Sequence, residues 1–404
     1  MHDIVSQFSW YGGLFHLTWW GYLLLGFALT HVTIVSVTLF LHRHQAHRAL
    51  ELHPVVSHFF RFWLWLTTGM VTREWVAIHR KHHAKCETPE DPHSPQTRGI
   101  SKVLWQGAEL YQAEAANRET LDQYGHHTPD DWLERNLYGR SHVLGVSILL
   151  VTEYLLFGFA GVALWGVQMI WIPFWAAGVI NGLGHWWGYR NYETPDASRN
   201  ISWFGFLIGG EELHNNHHAF ASSARFSSRW WEFDVGWAYI RLLQLLGLAR
   251  VKKLAPVPCI LPSKDRIDMD TLRAVFANRL HVMSNYAREV LVPVLRQEYR
   301  CRDDVCRTHL RAARRLLVRS PQMMDDYSRG VLEAALERFA ALRTCYLFRE
   351  RLQEIWNRSA TSHDKLLQAL QDWCQQAEST GVEALQSFAR RLRGYSLQGA
   401  VPVC

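Results

Sequence analysis

The chain has 404 residues, of which 48% are hydrophobic, 13% aromatic and 20% charged, and its formal net charge is +6. This composition excludes a disordered chain, a collagen-like repeat and a small disulfide scaffold. The tail from residue 261 carries 23 basic and 17 acidic residues and so accounts for the whole net charge, whereas 19 of the 22 histidines precede it.

The first apolar stretch, about 17–40, contains no Asp, Glu, Lys or Arg. As a helix rising 1.5 Å per residue it is long enough to cross a bilayer. Trp19 and Trp20 stand at one end, as aromatic residues do at membrane interfaces. His31 is the polar exception, and we expect it to be a hydrogen-bonded side chain rather than a metal ligand.

Two further apolar stretches follow. Residues 143–187 have only Glu153 as an acid in their body, and the length predicts two crossings, at about 143–164 and 167–187. Residues 53–71 are shorter and carry His58 and Arg61, which predicts a segment that lies at the interface or enters and returns.

The basic residues predict the orientation. Arg43, Arg48, Arg73 and Arg80 flank the first apolar stretches on one side, whereas 1–16 contains none. The positive-inside rule therefore places the segments after the first crossing in the cytoplasm.

The tail has a different pattern, in which Leu272, Phe276, Leu280 and Met283 recur at helical spacing. We therefore predict an all-α integral membrane protein with two parts. Residues 1–258 form a helical transmembrane bundle with a histidine-rich cytoplasmic cap, and 259–404 form a soluble helical region.

Three histidine clusters carry the candidate chemistry. HRHQAH provides His42 and His47, HRKHH provides His79, His82 and His83, and HNNHH provides His214, His217 and His218; NGLGH adds Asn181 and His185. Residues three and four apart share one face of a helix, and adjacent ones diverge by about 100 degrees. An HxxHH cluster can therefore serve two metal ions. Nine imidazoles exceed the needs of one tetrahedral zinc and fit two ions.

These clusters must meet on one side of the membrane. His47 and His79 flank 53–71, and a single crossing by this segment would put them on opposite sides of the membrane, so we expect no such crossing. The stretch 143–187 must cross twice, because His185 has to return to the cytoplasmic side. The competing interpretation, interfacial histidines at lipid headgroups, does not explain four such elements that each follow an apolar stretch.

HRHQAH, HRKHH, HNNHH and NGLGH resemble the histidine boxes of the membrane-bound fatty acid desaturases, the stearoyl-CoA (delta-9) type in particular, and the short N-terminal region resembles a bacterial form. The resemblance covers about 17–240. It implies two non-haem Fe²⁺ ions and no catalytic residue beyond the di-iron centre. One iron would be held by His42, His47, His79, His83 and His217, and the other by His82, His185, His214 and His218, with Asn181 contacting metal through water.

The segment EDPHSP matches a stretch that follows the second box in that family. Asp91 and His93 are interpreted as supports that orient the ligands; a turn set by Pro89, Pro92 and Pro95 is the alternative. Ala77 and Ile78 stand where animal members carry an Arg-Asp pair that grips the acyl headgroup, so that contact does not transfer.

The resemblance implies an O2-dependent reaction that introduces a cis double bond, at delta-9, into a saturated long-chain acyl group carried by coenzyme A. The alternatives are a phospholipid-linked acyl-lipid desaturase and a di-iron lipid hydroxylase. Because no flavin, nucleotide or iron–sulfur motif is present, a separate ferredoxin, rubredoxin or cytochrome b5 with its reductase must supply electrons. We expect a multi-pass protein of the cell inner membrane, with the active site and the C-terminus cytoplasmic and no nucleic-acid partner.

Overall fold

The computed structural model describes residues 11–300, 304–319, 321–357 and 362–397. The described residues form two compact units, one within Met1–Arg190 and Asp196–Ala255, the other within Asn191–Pro195 and Pro256–Cys404. Both units are mostly helical, which agrees with the predicted class. The described strands are short and form three two-stranded sheets.

The first unit contains eleven described α-helices and three π-helical stretches. The α-helices are α1 (Trp19–Ser36), α2 (Pro54–Thr68), α3 (Thr72–Lys85), α4 (Pro95–Arg98), α5 (Ile100–Trp105), α6 (Gly107–Ala115), α7 (Arg118–Tyr124), α8 (His142–Phe157), α9 (Phe159–Ile172), α10 (His214–Ala219) and α11 (Val235–Leu245). The π-helices are Val37–Ala46, Glu134–Tyr138 and Pro173–Leu183. Strand β1 (Leu50–Leu52) pairs antiparallel with β4 (Ala249–Val251), and β2 (Phe204–Gly205) pairs parallel with β3 (Phe233–Asp234).

Among the described residues, two helices are long and apolar enough to cross a bilayer, Trp19–Ala46 and Phe159–Leu183. The first combines α1 with the π-helix that follows it, and the second combines α9 with Pro173–Leu183. Helix α8 is apolar but shorter, with 16 residues. Which of these helices cross a membrane stays a prediction.

The helical hairpin in 143–187 turns earlier than the predicted bounds 143–164 and 167–187 imply. Helix α8 ends at Phe157 and α9 begins at Phe159. Gly158 between them has φ +60°, and an added Cβ would lie 2.2 Å from the carbonyl oxygen of Tyr11. Because a residue with a side chain fits neither this backbone conformation nor this close approach, the glycine determines where the chain turns.

Helix α2 carries a charged residue, Arg61, inside an otherwise apolar segment, and nearby acids pair with it. Arg61 is buried, and its guanidinium donates hydrogen bonds to Asp131 at 2.6 and 2.9 Å and to Glu134 at 2.8 Å. Helix α2 also approaches α8 closely, since a Cβ at Gly145 would lie 2.3 Å from the carbonyl oxygen of Trp65. The predicted interfacial or re-entrant position of 53–71 is compatible with this helix and stays a prediction.

A buried ion pair joins the first histidine cluster to the loops around β3. Arg43 is fully buried and donates to both carboxylate oxygens of Asp234, at 2.8 and 3.3 Å. Its guanidinium also donates to the carbonyl oxygens of Ala224 and Gly209 and lies 3.9 Å from the ring centroid of Phe226. These contacts fix the π-helix Val37–Ala46 against chain segments on both sides of the third cluster, since Gly209 precedes this cluster and the other contacts follow it.

The second unit has its own hydrophobic core. Tyr286 and Phe388 pack edge to face with ring centroids 5.0 Å apart, and the indole N–H of Trp373 donates to the carbonyl oxygen of Phe348. Its helices are α12 (Met269–Ala277), α13 (Arg279–Tyr286), a π-helix (Ala287–Leu291), α14 (Val292–Arg300), α15 (Asp304–Ala313), a 3₁₀ turn (Pro321–Met323), α16 (Asp326–Arg338), α17 (Ala340–Asn357), α18 (His363–Ser379) and α19 (Glu383–Arg393). Strands β5 (Cys259–Ile260) and β6 (Tyr395–Ser396) pair antiparallel.

We expect Asp234→Ala to destabilise the first unit strongly. Removing one partner of a buried ion pair leaves an uncompensated charge, at a cost of about 3–5 kcal/mol. Thermal unfolding of the detergent-solubilised chain measures the loss. Arg250→Ala is the control, because Arg250 and Glu51 form an exposed pair, and an equal loss in both variants would contradict the role of Arg43.

Candidate metal centre

A π-helix brings the two histidines of the first cluster together. His42 and His47 are five residues apart, and in an α-helix they would point about 140 degrees away from each other. The stretch Val37–Ala46 is π-helical, and the N–H of His47 donates to the carbonyl oxygen of His42. This i to i+5 geometry places the two rings 4.9 Å apart.

The second and third clusters each lie on one helix and divide between two groups of ligands. On α3, His79 and His83 share a face, and His82 points to the other group. On α10, His214 and His218 share a face, and His217 points away from them. His185 follows directly after the π-helix Pro173–Leu183. The i, i+3 and i+4 spacing therefore positions these side chains as the sequence predicts.

All nine predicted histidines lie in two groups in which the ligand atoms are within 4.8 Å of one another. The first group consists of His42, His47, His79, His83 and His217, and the second of His82, His185, His214 and His218. This is the division that the family resemblance implied. That these groups bind metal stays a prediction.

The nitrogen distances fit shared coordination. In the first group the Nε2 atoms of His47 and His79 lie 2.8 Å apart, and Nε2 of His217 lies 3.0 Å from that of His42 and 2.9 Å from that of His83. Two nitrogens about 2.1 Å from one metal lie about 3.0 Å apart at a right angle and about 3.4 Å apart in a tetrahedron. The spacing therefore suits a metal with more than four ligands.

The second group contains a buried nitrogen that needs a partner. Nε2 of His218 is buried and has no hydrogen-bond partner in the part of the chain that the structure describes, while Nε2 of His214 lies 3.0 Å from Nε2 of His185. Buried polar atoms in folded proteins nearly always have a partner. An imidazole donor set with an orphaned nitrogen fits a transition metal such as iron.

Four carboxylates hold the outer nitrogens of these rings. The Nδ1–H groups of four histidines donate to acidic side chains: His42 to Glu211 at 2.7 Å, His82 to Asp91 at 3.0 Å, His185 to Glu87 at 3.1 Å and His218 to Asp196 at 3.0 Å. A carboxylate on Nδ1 fixes the ring orientation and leaves the Nε2 lone pair for a metal.

Charge and burial set the protonation of the site. Burial and the charges of His218 and Arg80 lower the pKa of His47 to about 3, and burial lowers the pKa of His185 to about 4. Although burial alone would raise it, the charge and hydrogen bond of His218 hold the pKa of Asp196 well below its usual range. Burial raises the pKa of Glu211 to about 8, so the site favours the charge of Asp196 and disfavours that of Glu211. The neutral imidazole, the form of His47 and His185 at neutral pH, is the form that binds metal.

Asp91 and His93, the two predicted supports, both lie against His82. Asp91 accepts from Nδ1–H of His82 and from the backbone N–H groups of Glu87 and His93. The ring of His93 stacks on that of His82 with centroids 4.5 Å apart. Pro95 begins helix α4, and the alternative interpretation as a plain turn stays a prediction.

Sequence reasoning missed Glu211, Asp196 and Glu87. Their positions carry no signal of their own, because a single acid near a histidine cluster is common in loops. For Glu87 the structure itself gives a signal. Its φ is +63°, a strained conformation for a residue with a side chain, and such strain often marks a functional site. His44, the remaining histidine of HRHQAH, lies outside both groups, with Nδ1 2.9 Å from the carbonyl oxygen of Leu50.

A cavity of about 540 Å³ reaches both groups of histidines. His42, His79, His214 and Asn181 line one part of it, and most other lining residues are apolar. The predicted water-mediated contact of Asn181 stays a prediction, and its position in the wall beside His214 is compatible with it. The volume is in the range of pockets that enclose small molecules, about 300–1,000 Å³.

Comparison with known proteins gives a family for this region. The family model described as "Fatty acid desaturase" matches residues 17–246. A delta-9 acyl-lipid desaturase of Arabidopsis thaliana is 34% identical over 225 residues, which cover 54% of this chain and 71% of the relative. An sn-1 stearoyl-lipid 9-desaturase of Anabaena variabilis is 32% identical over 225 residues, which cover 55% and 79%.

Two further matches widen this result. An acyl-CoA 5-desaturase of Anemone leveillei is 32% identical over 227 residues, which cover 54% of this chain and 66% of the relative. A second family model, described as "Transposase", matches residues 273–398 in the tail. That match covers less than half of the chain and assigns no activity to it.

We expect the carboxylates to control metal content one group at a time. Glu211→Ala should weaken metal binding by the first group of histidines, and Asp196→Ala should weaken metal binding by the second. Loss of a carboxylate that orients a ligand typically costs about 10- to 100-fold in metal affinity. Metal analysis of the purified chain should find two ions in the wild type and fewer in each variant. Asp122→Ala, which removes an exposed partner of Arg73, is the control and should keep both ions.

Proposed function

The chain belongs to the fatty acid desaturase family, and from this premise we propose that it introduces a cis double bond, at delta-9, into a saturated long-chain acyl group. Two non-haem Fe²⁺ ions would be held by the nine histidines of the two groups. The proposal covers acyl groups carried by coenzyme A, as the sequence favours, or by a membrane lipid, the two carriers that the names of relatives contain.

The observation that carries this proposal is the position of the two nitrogen groups beside one largely apolar cavity. His42 and His79 of the first group and His214 of the second line it together with apolar side chains such as Ile172 and Ile180. A saturated chain in this cavity would lie against both groups at once. An exposed cluster of histidines without such a cavity would favour a metal-storage role instead.

The bound ions would supply the O2-dependent oxidation of two adjacent methylenes. In the overall balance, the chain loses two hydrogens, an external carrier provides two electrons, two protons are taken up, and both oxygen atoms leave as water. The protein's own residues bind the acyl chain, orient the histidine rings and shield the reacting carbons from water. Glu211, Asp91, Glu87 and Asp196 keep four rings in place, and the apolar wall excludes water from the reacting carbons.

The electron carrier would be a separate protein: a ferredoxin, a rubredoxin or a cytochrome b5 with its reductase. The proposal also places the protein in the cell inner membrane as a multi-pass protein, with the metal site and the C-terminus cytoplasmic. The two long apolar helices support this placement. Both lead, at their C-terminal ends, directly into histidines of the site.

The decisive experiment is lipid analysis in a host that has no desaturase. Gas chromatography with mass spectrometry of total lipids should show a new cis double bond, at delta-9, only when the full chain is expressed. An oxygenated chain without a double bond would instead establish the related hydroxylase reaction. No new product, in the presence of a reducing partner and bound iron, would contradict the proposal.

His82→Ala and His214→Ala should each abolish the product, because each removes a ligand from the second group. Membrane fractionation should show unchanged insertion, since neither residue lies in a long apolar helix. His126→Ala is the matched control: this histidine is exposed, lies outside both groups, and should leave the product unchanged. Full activity of either ligand variant would refute the ligand assignment.

A further inference from the structure

The cavity opens where the apolar helices α8 and α9 meet the part of the first unit that carries the two groups of histidines. Its lining includes four residues with exposed side chains: Gln112 on α6, His142 and Val143 at the start of α8, and Pro173 at the end of α9. Val143 and Pro173 belong to the apolar helices His142–Phe157 and Phe159–Leu183. The opening therefore lies on the side that these helices would present to lipid, at the level where they meet polar residues.

A buried hydroxyl near this opening has no partner. The hydroxyl group of Tyr111, on α6, lies in the cavity wall, is buried and has no hydrogen-bond partner among the described residues. Burial and the nearby charge of Glu74, which also lines the cavity, raise the pKa of Tyr111, so its hydroxyl group keeps the proton. Among the described residues, Glu74 accepts no hydrogen bond from this hydroxyl group. A buried donor of this kind points to an acceptor that a ligand provides.

The charge of the lining narrows the choice of ligand. Neither lysine nor arginine is among the residues that line the cavity, whereas Glu74 and Glu211 are. Phosphate-rich carriers are usually held by arginine or lysine. An acyl ester offers an apolar chain and a neutral carbonyl oxygen, which match an apolar wall with one free hydroxyl donor.

We propose that the cavity takes its substrate sideways from the bilayer. The acyl chain of a membrane glycerolipid enters between α6, the start of α8 and Pro173, and the Tyr111 hydroxyl donates a hydrogen bond to the ester carbonyl oxygen. This inference rests on the proposed desaturase function and deepens it. Because the hydrogen bond holds the carbonyl end, Tyr111 determines which carbons lie beside the two histidine groups.

The first test follows the carrier. Cells without a desaturase express the full chain and receive a short pulse of isotope-labelled stearic acid, and the acyl-CoA and glycerolipid pools are separated during the chase. We expect labelled unsaturated chains to appear first in glycerolipids that already contain labelled stearate. Their earlier appearance in the acyl-CoA pool would overturn the proposed uptake from the bilayer.

The second test removes only the hydroxyl group. In Tyr111→Phe the chain is no longer held at its carbonyl end, so double bonds should spread over neighbouring positions and conversion should fall several-fold, while metal content stays that of the wild type. Tyr124→Phe makes the same change at a residue that does not line the cavity, and it should keep one position. A single unchanged position in Tyr111→Phe would overturn the role of Tyr111.

The two proposals fail in different ways. A wild-type chain that makes no double bond overturns the proposed function and this inference with it. A wild-type chain that makes the double bond, but from acyl-CoA or with an unchanged Tyr111→Phe product, overturns the inference alone.

Discussion

Nine imidazoles gathered in a buried space impose the main constraint on this unit. Their nitrogens approach to 2.8–3.0 Å, and lone pairs at that distance repel each other unless a proton or a cation lies between them. Burial lowers the pKa of most of these rings and so disfavours the proton. A metal cation, as we propose, would satisfy this arrangement, and the four acidic side chains that contact Nδ1 atoms keep the rings oriented for it.

The same constraint explains the irregular backbone near the site. An α-helix does not direct residues five apart to one point, whereas His42 and His47 both belong to the first group of ligand atoms. The π-helix Val37–Ala46 solves this by changing the helical repeat where the helix reaches the site. A second π-helix, Pro173–Leu183, leads directly to His185. Because π-helices are rare and have less favourable geometry than α-helices, both are stable only where surrounding contacts such as those of Arg43 compensate.

The placement of the cavity links the two groups of histidines to the apolar helices. Its wall includes residues of α1, α2, α3, α6, α8, α9 and α10 and of the π-helices Val37–Ala46 and Pro173–Leu183, of which the first carries His42. An apolar chain in the cavity is therefore held by the same helices that position the ligands, so chain position and ligand position depend on one set of contacts. This coupling is the physical reason to connect the entry of the chain, at Tyr111 and Val143, with the position of the double bond.

The sequence alone determined the features that depend on composition and short spacing. Long uncharged stretches predict apolar helices, and HxxHH places three histidines close together on one helix, because helical geometry is local and any helix must obey it. The total of nine clustered histidines exceeds what one tetrahedral metal site can use. The tertiary structure decided what local geometry leaves open. Glu211, Asp196 and Glu87 reach their histidines from distant segments, and the π-helical register of His42 and His47 depends on packing. Gly158 turns the chain after α8 with a positive φ, and the carbonyl oxygen of Tyr11, far away in sequence, leaves no room there for a side chain. Such contacts join residues that no spacing rule connects, so only the folded chain could reveal them.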